Sequence, residues 1–121
     1  MALPQNRPLN IIRVWAHLAD SGTASSAFAV APTRGRVVKL GSVVYAAVGT
    51  ANNVLTGFIA GTAITHPTWS QLTAGSAAGD VSEVVPSAAN TCNDGDAIKF
   101  TSDGAGSNVT PTMFYADIVV A

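Results

Sequence analysis

The stretch G-R-V-V-K-L-G-S-V-V-Y-A-A, from Gly35 to Ala47, decides the fold class of this chain. It is rich in β-branched residues and lacks the i, i+3, i+4, i+7 apolar spacing that an amphipathic helix requires. Similar short runs, bounded by Gly, Ser, Asn or Asp, recur along the sequence, which is typical of an all-β sandwich or barrel. We therefore predict an all-β domain.

The runs outside this stretch set the expected number of strands and the architecture. Turn sequences such as Asp20-Ser21-Gly22 and Asn93-Asp94-Gly95-Asp96 combine side-chain acceptors with a glycine that tolerates positive φ. About eight antiparallel strands in one small domain predict two packed sheets, a single antiparallel β-sandwich of jelly-roll type. The predicted strands are Ile11–Leu18, Ala27–Ala31, Gly35–Ala47, Val54–Ala60, Thr68–Leu72, Val81–Val85, Ala97–Thr101 and Thr112–Val120.

Length and composition indicate one domain that associates with other molecules. The chain has 121 residues, of which 48% are apolar, so one core can form but two separate domains would each be too small. Only 11% of the residues are charged, against roughly 25% in an ordinary soluble domain. A surface so poor in charge is prone to association, which predicts a homo-oligomer, with a trimer as the favoured state, or an assembly component.

The charges are unevenly distributed along the chain. Residues 1–40 sum to +4, residues 80–121 sum to −5, and residues 41–79 carry no formal charge. An uncharged stretch of that length cannot all be core, so part of it is expected to face another copy or a partner. The net charge of −1 predicts no nucleic-acid partner and no membrane partner.

The first ten residues differ from the rest and are predicted to form an extended arm, 1–10, before the sandwich domain, 11–121. Two prolines disfavour regular pairing there, whereas Leu3, Arg7 and Leu9 are spaced as anchors for a partner surface. The alternative is a frayed terminus, the default for such segments.

Targeting signals are not evident in the sequence. The N-terminus lacks the apolar core of a signal peptide, and the longest apolar-looking stretch, residues 43–64, is interrupted by glycine, threonine and asparagine. We therefore expect synthesis in a cytoplasm, with the protein staying soluble until it assembles.

The candidates for chemistry each have a simpler interpretation, and we predict neither an enzyme nor a metal or cofactor site. His17 and His66 allow a Ser-His-Asp triad or a shared metal site, but the sequence contains no G-x-S-x-G elbow. Cys92, the single cysteine, excludes an intrachain disulfide and is expected to be a small, partly buried residue. Asn93–Asp96 resembles a calcium-loop fragment without its closing Glu, so a turn is the better interpretation.

Aromatic residues offer the remaining candidates. Trp15, Trp69, Phe58 and Tyr45 are suitable for a sugar-stacking platform, or alternatively for the core of a sandwich with few large side chains. For an oligomer, Phe58 or Trp69 is the predicted interface anchor, since aromatic residues dominate buried interface energy.

Several segments together resemble the small head decoration, or cement, proteins of tailed bacteriophages. They are V-W-A-H-L-A-D-S-G-T-A-S-S-A-F-A-V-A-P at Val14–Pro32, R-G-R-V-V-K-L-G-S-V-V at Arg34–Val44 and T-A-G-S-A-A-G-D-V at Thr73–Val81. P-S-A-A-N-T and N-D-G-D-A-I-K-F follow within Pro86–Phe100. The resemblance covers about residues 11–121 and is one of short segments and composition, without a functional motif.

The resemblance implies a virion protein on the outer capsid surface. Similar proteins are commonly trimers in which a terminal arm clasps the major capsid protein, which would account for the arm predicted at residues 1–10 from Leu3, Arg7 and Leu9, although the resemblance itself carries over no functional residue. The implied function is binding to the assembled head and stabilising it by bridging capsid subunits. The alternative is a head-fibre or receptor-binding module whose exposed aromatics hold a glycan.

Overall fold

A computed structural model describes residues 10–121, and ten β-strands make up the regular structure of this range. No helix of the length and hydropathy that a membrane span requires occurs in these residues. The strands are β1 (Ile11–Leu18), β2 (Ser25–Val30), β3 (Gly35–Val44), β4 (Asn53–Ile59), β5 (Thr62–Ala63), β6 (Trp69–Gln71), β7 (Val81–Val84), β8 (Thr91–Cys92), β9 (Ala97–Ser102) and β10 (Thr112–Val120).

The strands form two antiparallel sheets. The first sheet has the order β1-β10-β3-β7, with β8 also paired to β3, and the second has the order β2-β9-β4-β5, with β6 paired to β4. Consecutive strands often lie in different sheets: the chain passes from one sheet to the other between β1 and β2, β3 and β4, β6 and β7, and β9 and β10. Such connections between two sheets are those of the Greek keys in a jelly roll. The predicted all-β jelly-roll sandwich is confirmed.

Strand bounds follow the predicted runs closely where the runs are long. β1 and β10 have the predicted bounds and pair in register from Ile11 opposite Val119 to Leu18 opposite Thr112. β3 ends at Val44 rather than Ala47, because Tyr45 N leaves the sheet ladder and donates to Pro111 O at 2.8 Å. The two-residue strands β5 and β8 were not predicted, since a pair of residues carries no period-two signal.

The core lies between the sheets and is built around stacked aromatic rings. The rings of Phe100 in β9 and Phe114 in β10 are parallel, with centroids 5.1 Å apart, and Trp69 meets Phe114 edge-on at 5.8 Å. Trp69 is only 1% exposed, and its Nε1 donates to Ser82 O of the opposite sheet at 3.2 Å. The prediction of Trp69 as an oligomer anchor is therefore wrong, because strand alternation buries it inside its own chain.

A buried hydrogen-bond network joins the sheets at one end of the sandwich. Asn53 Nδ2 donates to Gln71 Oε1 at 3.0 Å, and Gln71 Nε2 donates to Thr112 Oγ1 at 3.0 Å. Ser21 Oγ donates to Gln71 Oε1 at 2.7 Å, and Gly106 N donates to Asn53 Oδ1 at 2.7 Å. These bonds fix the loops at this end, because each buried polar atom lacks water as an alternative partner.

The arm predicted for Met1–Asn10, with its anchors Leu3, Arg7 and Leu9, lies outside the described residues except for Asn10. Asn10 immediately precedes β1, and Val120 N donates to its carbonyl oxygen at 2.8 Å.

Candidate functional site

The two outer sheet faces have opposite chemical character. Alternation in β1 turns Val14 and Ala16 toward the core and Arg13 and Trp15 outward. The outer face of the first sheet thereby collects an aromatic–ion cluster. Its members are Arg13, Trp15, Lys39, Glu83, Tyr115 and Asp117.

The centre of the cluster is a bidentate ion pair, held by two hydrogen bonds, between a residue of β1 and a residue of β10. Arg13 Nε donates to Asp117 Oδ1 at 2.6 Å and Arg13 Nη2 donates to Asp117 Oδ2 at 2.9 Å. This hydrogen bonding to Asp117 raises the pKa of Arg13 further above its ordinary value. The guanidinium carbon also lies 4.1 Å from the ring centroid of Tyr115 and 5.6 Å from that of Trp15. The pair is thus fixed in a cation–π stack rather than left as a mobile surface contact.

The side chain of Tyr115 extends from β10 across β3 toward β7. Its hydroxyl donates to Glu83 Oε2, and Lys39 Nζ lies 3.7 Å from Glu83 Oε1. Burial, reinforced by Glu83, raises the pKa of Tyr115 far above its usual range, so the phenol stays protonated. The path of the ring depends on Gly41 beneath it, since a Cβ there would lie 2.1 Å from Tyr115 Cζ.

Trp15 is the part of the cluster that remains open to solvent. It is 50% exposed, whereas Tyr115 is only 3% exposed. The two rings have centroids 5.1 Å apart and are tilted by 57°, so Trp15 is supported on one side and free on the other.

The outer face of the second sheet carries several exposed apolar side chains and no acidic one. Phe28 and Val30 in β2 are each 63% exposed, and Val54 in β4 is 42% exposed. Phe58 lies half-buried on the same face, with Lys99 Nζ 4.3 Å above its ring centroid. We call Phe28, Val30, Val54 and Phe58 the apolar face. Phe58 lies on the outside as an interface residue must, and its role as an anchor stays a prediction.

Tyr45 is the remaining candidate aromatic. It follows β3 and is 52% exposed, away from the pairing that holds Trp15 beside Tyr115. The sugar-platform set named from the sequence is therefore divided: Trp69 is core, Phe58 is on the second sheet, and Trp15 is on the first.

The candidates for catalysis or metal binding are not brought together. His17 is exposed on β1, while His66 lies in a loop with Nδ1 2.7 Å from Pro67 O. Residues 10–121 contain no group of three or more His, Cys, Asp or Glu side chains arranged to hold a metal ion.

The remaining sequence candidates have structural roles. Asp96 Oδ2 accepts from Asn93 N at 2.8 Å, which closes the turn as interpreted. Cys92 is fully rather than partly buried, and that burial raises the pKa of its thiol.

A small cleft opens where β6 and β7 meet at the edge of the sandwich. Its volume is about 190 Å³, and Leu72 and Val81 stand exposed at its rim. Ser42 lines it, and the Ser42 hydroxyl is a buried side-chain group without a hydrogen-bond partner among the described residues.

Comparisons with known proteins bear on the fold alone. No family model and no curated protein matches the chain. Two solved structures are similar. One is the catalytic unit of the thermostable GH87 alpha-1,3-glucanase from Streptomyces thermodiastaticus strain HF3-3, with a TM-score of 0.52 and 13% identity over 93% of this chain and 26% of that one.

The other similar structure is the catalytic domain of a GH87 alpha-1,3-glucanase in complex with nigerose. It has a TM-score of 0.51 and 9% identity, and the match covers 87% of this chain and 22% of that chain. Our chain thus spans about a quarter of the length of either structure. At these identities the likeness is one of sandwich architecture.

Sequence reasoning missed the aromatic–ion cluster, although it placed the strands that carry it. Arg13 and Trp15 alternate in β1, and Tyr115 and Asp117 alternate in β10, so each pair shares a face. The missing information was the register that sets Arg13 opposite Asp117 and Trp15 opposite Tyr115.

Proposed function

We propose that this chain is a structural protein of a tailed-bacteriophage head, a decoration protein that binds the assembled shell and stabilises it. In this proposal the chain is a homo-oligomer, with a trimer as the favoured state, and it bridges neighbouring copies of the major capsid protein on the outer surface of the virion. The resemblance of residues 11–121 to such proteins is one support. The observation that carries the proposal is the apolar face.

The apolar face has the composition of a surface that is covered in the working state. Phe28 and Val30 are each 63% exposed, so most of the Phe28 ring and of the Val30 methyl groups contacts water in a single chain. Exposed apolar patches mark interaction sites in soluble proteins, and here the apolar side chains flank Lys99, which lies between Phe28 and Phe58. Burial against a second copy removes that area from water, which is favourable by roughly 25 cal/mol per Å².

Charge favours another copy of the chain as the neighbour at this face. The five strands of the second sheet carry one charged residue, Lys99, and no acidic one. Lys99 is already placed over Phe58, where its ammonium interacts with the ring. A face without carboxylates offers a charged partner little specificity, whereas an isologous or cyclic contact between apolar faces needs none.

Paired valine substitutions test the assignment of the oligomer face. Val30 and Val85 are both 63% exposed, but only Val30 lies on the apolar face. We expect Val30→Ser, combined with Phe28→Ser, to reduce the oligomer to a chain of 12.2 kDa in light scattering at micromolar concentration. Val85→Ser is the matched control and should leave the oligomer intact. A native chain that is monomeric over a hundredfold dilution range would refute the oligomer.

Binding to the head is tested separately by co-sedimentation. Undecorated heads are prepared from the phage that encodes the chain, with its gene deleted, and mixed with the native protein. We expect saturable binding, with a bound number that follows the capsid lattice. Deleting residues 1–10 should weaken this binding by about ten-fold or more, equivalent to about 1.4 kcal/mol, while the oligomer remains folded. Equal occupancy of the heads with and without residues 1–10 would show that the arm does not contribute to head binding.

A further inference from the structure

The aromatic–ion cluster leaves one large aromatic surface open in an otherwise closed arrangement. Tyr115 is 3% exposed, covered where Arg13 stacks on its ring and Glu83 receives its hydroxyl. Trp15 is 50% exposed and rests against Tyr115 at a centroid distance of 5.1 Å. The indole is therefore held in place before any ligand arrives, which lowers the entropy that binding costs.

The charged groups of the cluster extend to one side of this open ring, with Asp117 one strand away on β10, Lys39 two strands away on β3 and Glu83 three strands away on β7. Arg13 and Lys39 contribute two positive charges, and Glu83 and Asp117 contribute two negative charges. The hydrogen bonds from Arg13 to Asp117 use Nε and Nη2, and Nη1 takes no part in them. The side chains of Lys39 and Glu83 are each 39% exposed. Arg13 thus lies beside the ring, the other donors and acceptors continue across the face, and the charges within the cluster cancel.

This combination fits a neutral ligand that has an apolar ring face and a rim of hydroxyl groups. The Arg13–Asp117 pair beside the ring is itself neutral, so an anion or a cation would gain no net attraction from it. The core of a protein interface is depleted in charged residues, yet this face gathers four of them within one cluster. A pyranose ring has the required shape, because its C–H face stacks on an indole and its hydroxyls both donate and accept hydrogen bonds.

We propose that the outer face of the first sheet is a carbohydrate-binding site, with Trp15 as the stacking surface, Arg13 as the hydrogen-bonding group beside it, and Lys39 and Glu83 as hydrogen-bonding groups farther across the face. This function is separate from decoration of the shell. A decoration protein that carries such a site would hold a glycan on the particle surface.

The two tryptophans allow a direct test with the full chain. Trp69 is 1% exposed and Trp15 is 50% exposed, so an aqueous quencher such as iodide reaches Trp15 selectively. The probe is a panel of neutral di- and trisaccharides of glucose, galactose, mannose and N-acetylglucosamine. We expect at least one to protect Trp15 from quenching and to bind in calorimetry with a Kd of about 1 mM or tighter.

Substitutions locate the binding on this face. Trp15→Ala should weaken the affinity for that sugar by about ten-fold or more, while Trp15→Phe recovers part of the loss. Tyr45→Ala is the matched control, because Tyr45 is an exposed aromatic, at 52% exposure, that belongs neither to the aromatic–ion cluster nor to the apolar face. It should bind the sugar as the native chain does. The fluorescence of buried Trp69 verifies folding of the Trp15 variants.

Three results would overturn the proposal. The first is the absence of quenching protection by any member of the panel at about 20 mM, well above the expected Kd. The second is equal weakening of sugar binding by Trp15→Ala and Tyr45→Ala. The third is loss of head binding by Trp15→Ala without sugar binding by the native chain, which would assign the face to a protein contact. Head binding by the native chain is measured separately, so failure here leaves the decoration proposal standing.

Discussion

Substituting alanine for Gly41 tests the arrangement that holds the aromatic–ion cluster. Gly41 is on β3 directly opposite Tyr115, and the Tyr115 ring lies over its backbone. A Cβ added at Gly41 would lie 2.1 Å from Cζ and 2.3 Å from Cε2 of Tyr115. The ring must therefore move away, and it leaves both Glu83 and the stack with Arg13.

The magnitude follows from the contacts that are displaced. Forcing a methyl group into a filled space costs about 1–3 kcal/mol of the free energy of unfolding. In a Tyr115→Ala background the space is empty, and the sign of the effect reverses. There Gly41→Ala should stabilise by about 0.5–1 kcal/mol, because glycine inside a strand loses more conformational entropy on folding than alanine does.

The assay is equilibrium unfolding in urea for four chains: native, each single variant and the double variant. We expect a non-additive cycle in which Gly41→Ala destabilises the native chain but not the Tyr115→Ala chain. Equal effects of Gly41→Ala in both backgrounds would show that Tyr115 does not occupy the space above Gly41. Conserved m-values are the control, since a changed m-value reports an altered unfolded state.

Three further predictions concern stability and reactivity. Asn53→Ala should lower the free energy of unfolding by about 1–3 kcal/mol, because Gly106 N loses its buried acceptor. Asn52→Ala removes only an exposed hydrogen bond and should cost under about 1 kcal/mol in the same urea titration. Bonds to Asp20, chiefly from Thr110 N, lower the pKa of its carboxyl, so its contribution is present above about pH 4 and is lost as pH falls through the lowered pKa. The Tm difference between the native chain and Asp20→Asn should accordingly shrink on acidification, and a constant difference from pH 2 to 7 would contradict this assignment. Cys92 should resist a thiol reagent at neutral pH in the folded chain and react fully in denaturant, because burial raises its pKa; rapid labelling of the native state would contradict that burial.

The sequence was most informative where period-two alternation is long. β1 and β10 could be predicted to the residue, because each has eight or nine residues between clear turn signals. Two-residue strands such as β5 gave no signal, since their pairing depends on the neighbouring strand.

The functional surfaces were harder to predict, because they depend on pairing register and on which face of a strand is covered. Trp69 illustrates the difficulty. It was predicted as an interface anchor because aromatic residues dominate buried interface energy, but its position in β6 directs its side chain into the core. The Arg13–Asp117 pair joins residues 104 positions apart, and only the β1–β10 register brings them together. The sequence predicted that Phe58 lies on a strand, but only the sheet register identifies the other exposed residues on the same outer face of the second sheet.

Electron cryomicroscopy of the phage heads tests the central claim most directly. Heads from the phage that encodes the chain are imaged beside heads from which its gene has been deleted. Decoration predicts jelly-roll density in oligomers, repeated over the outer capsid lattice of the first sample and absent from the second. Particles without this density on the lattice, or with only a few copies at the tail or at one vertex, would contradict decoration of the shell.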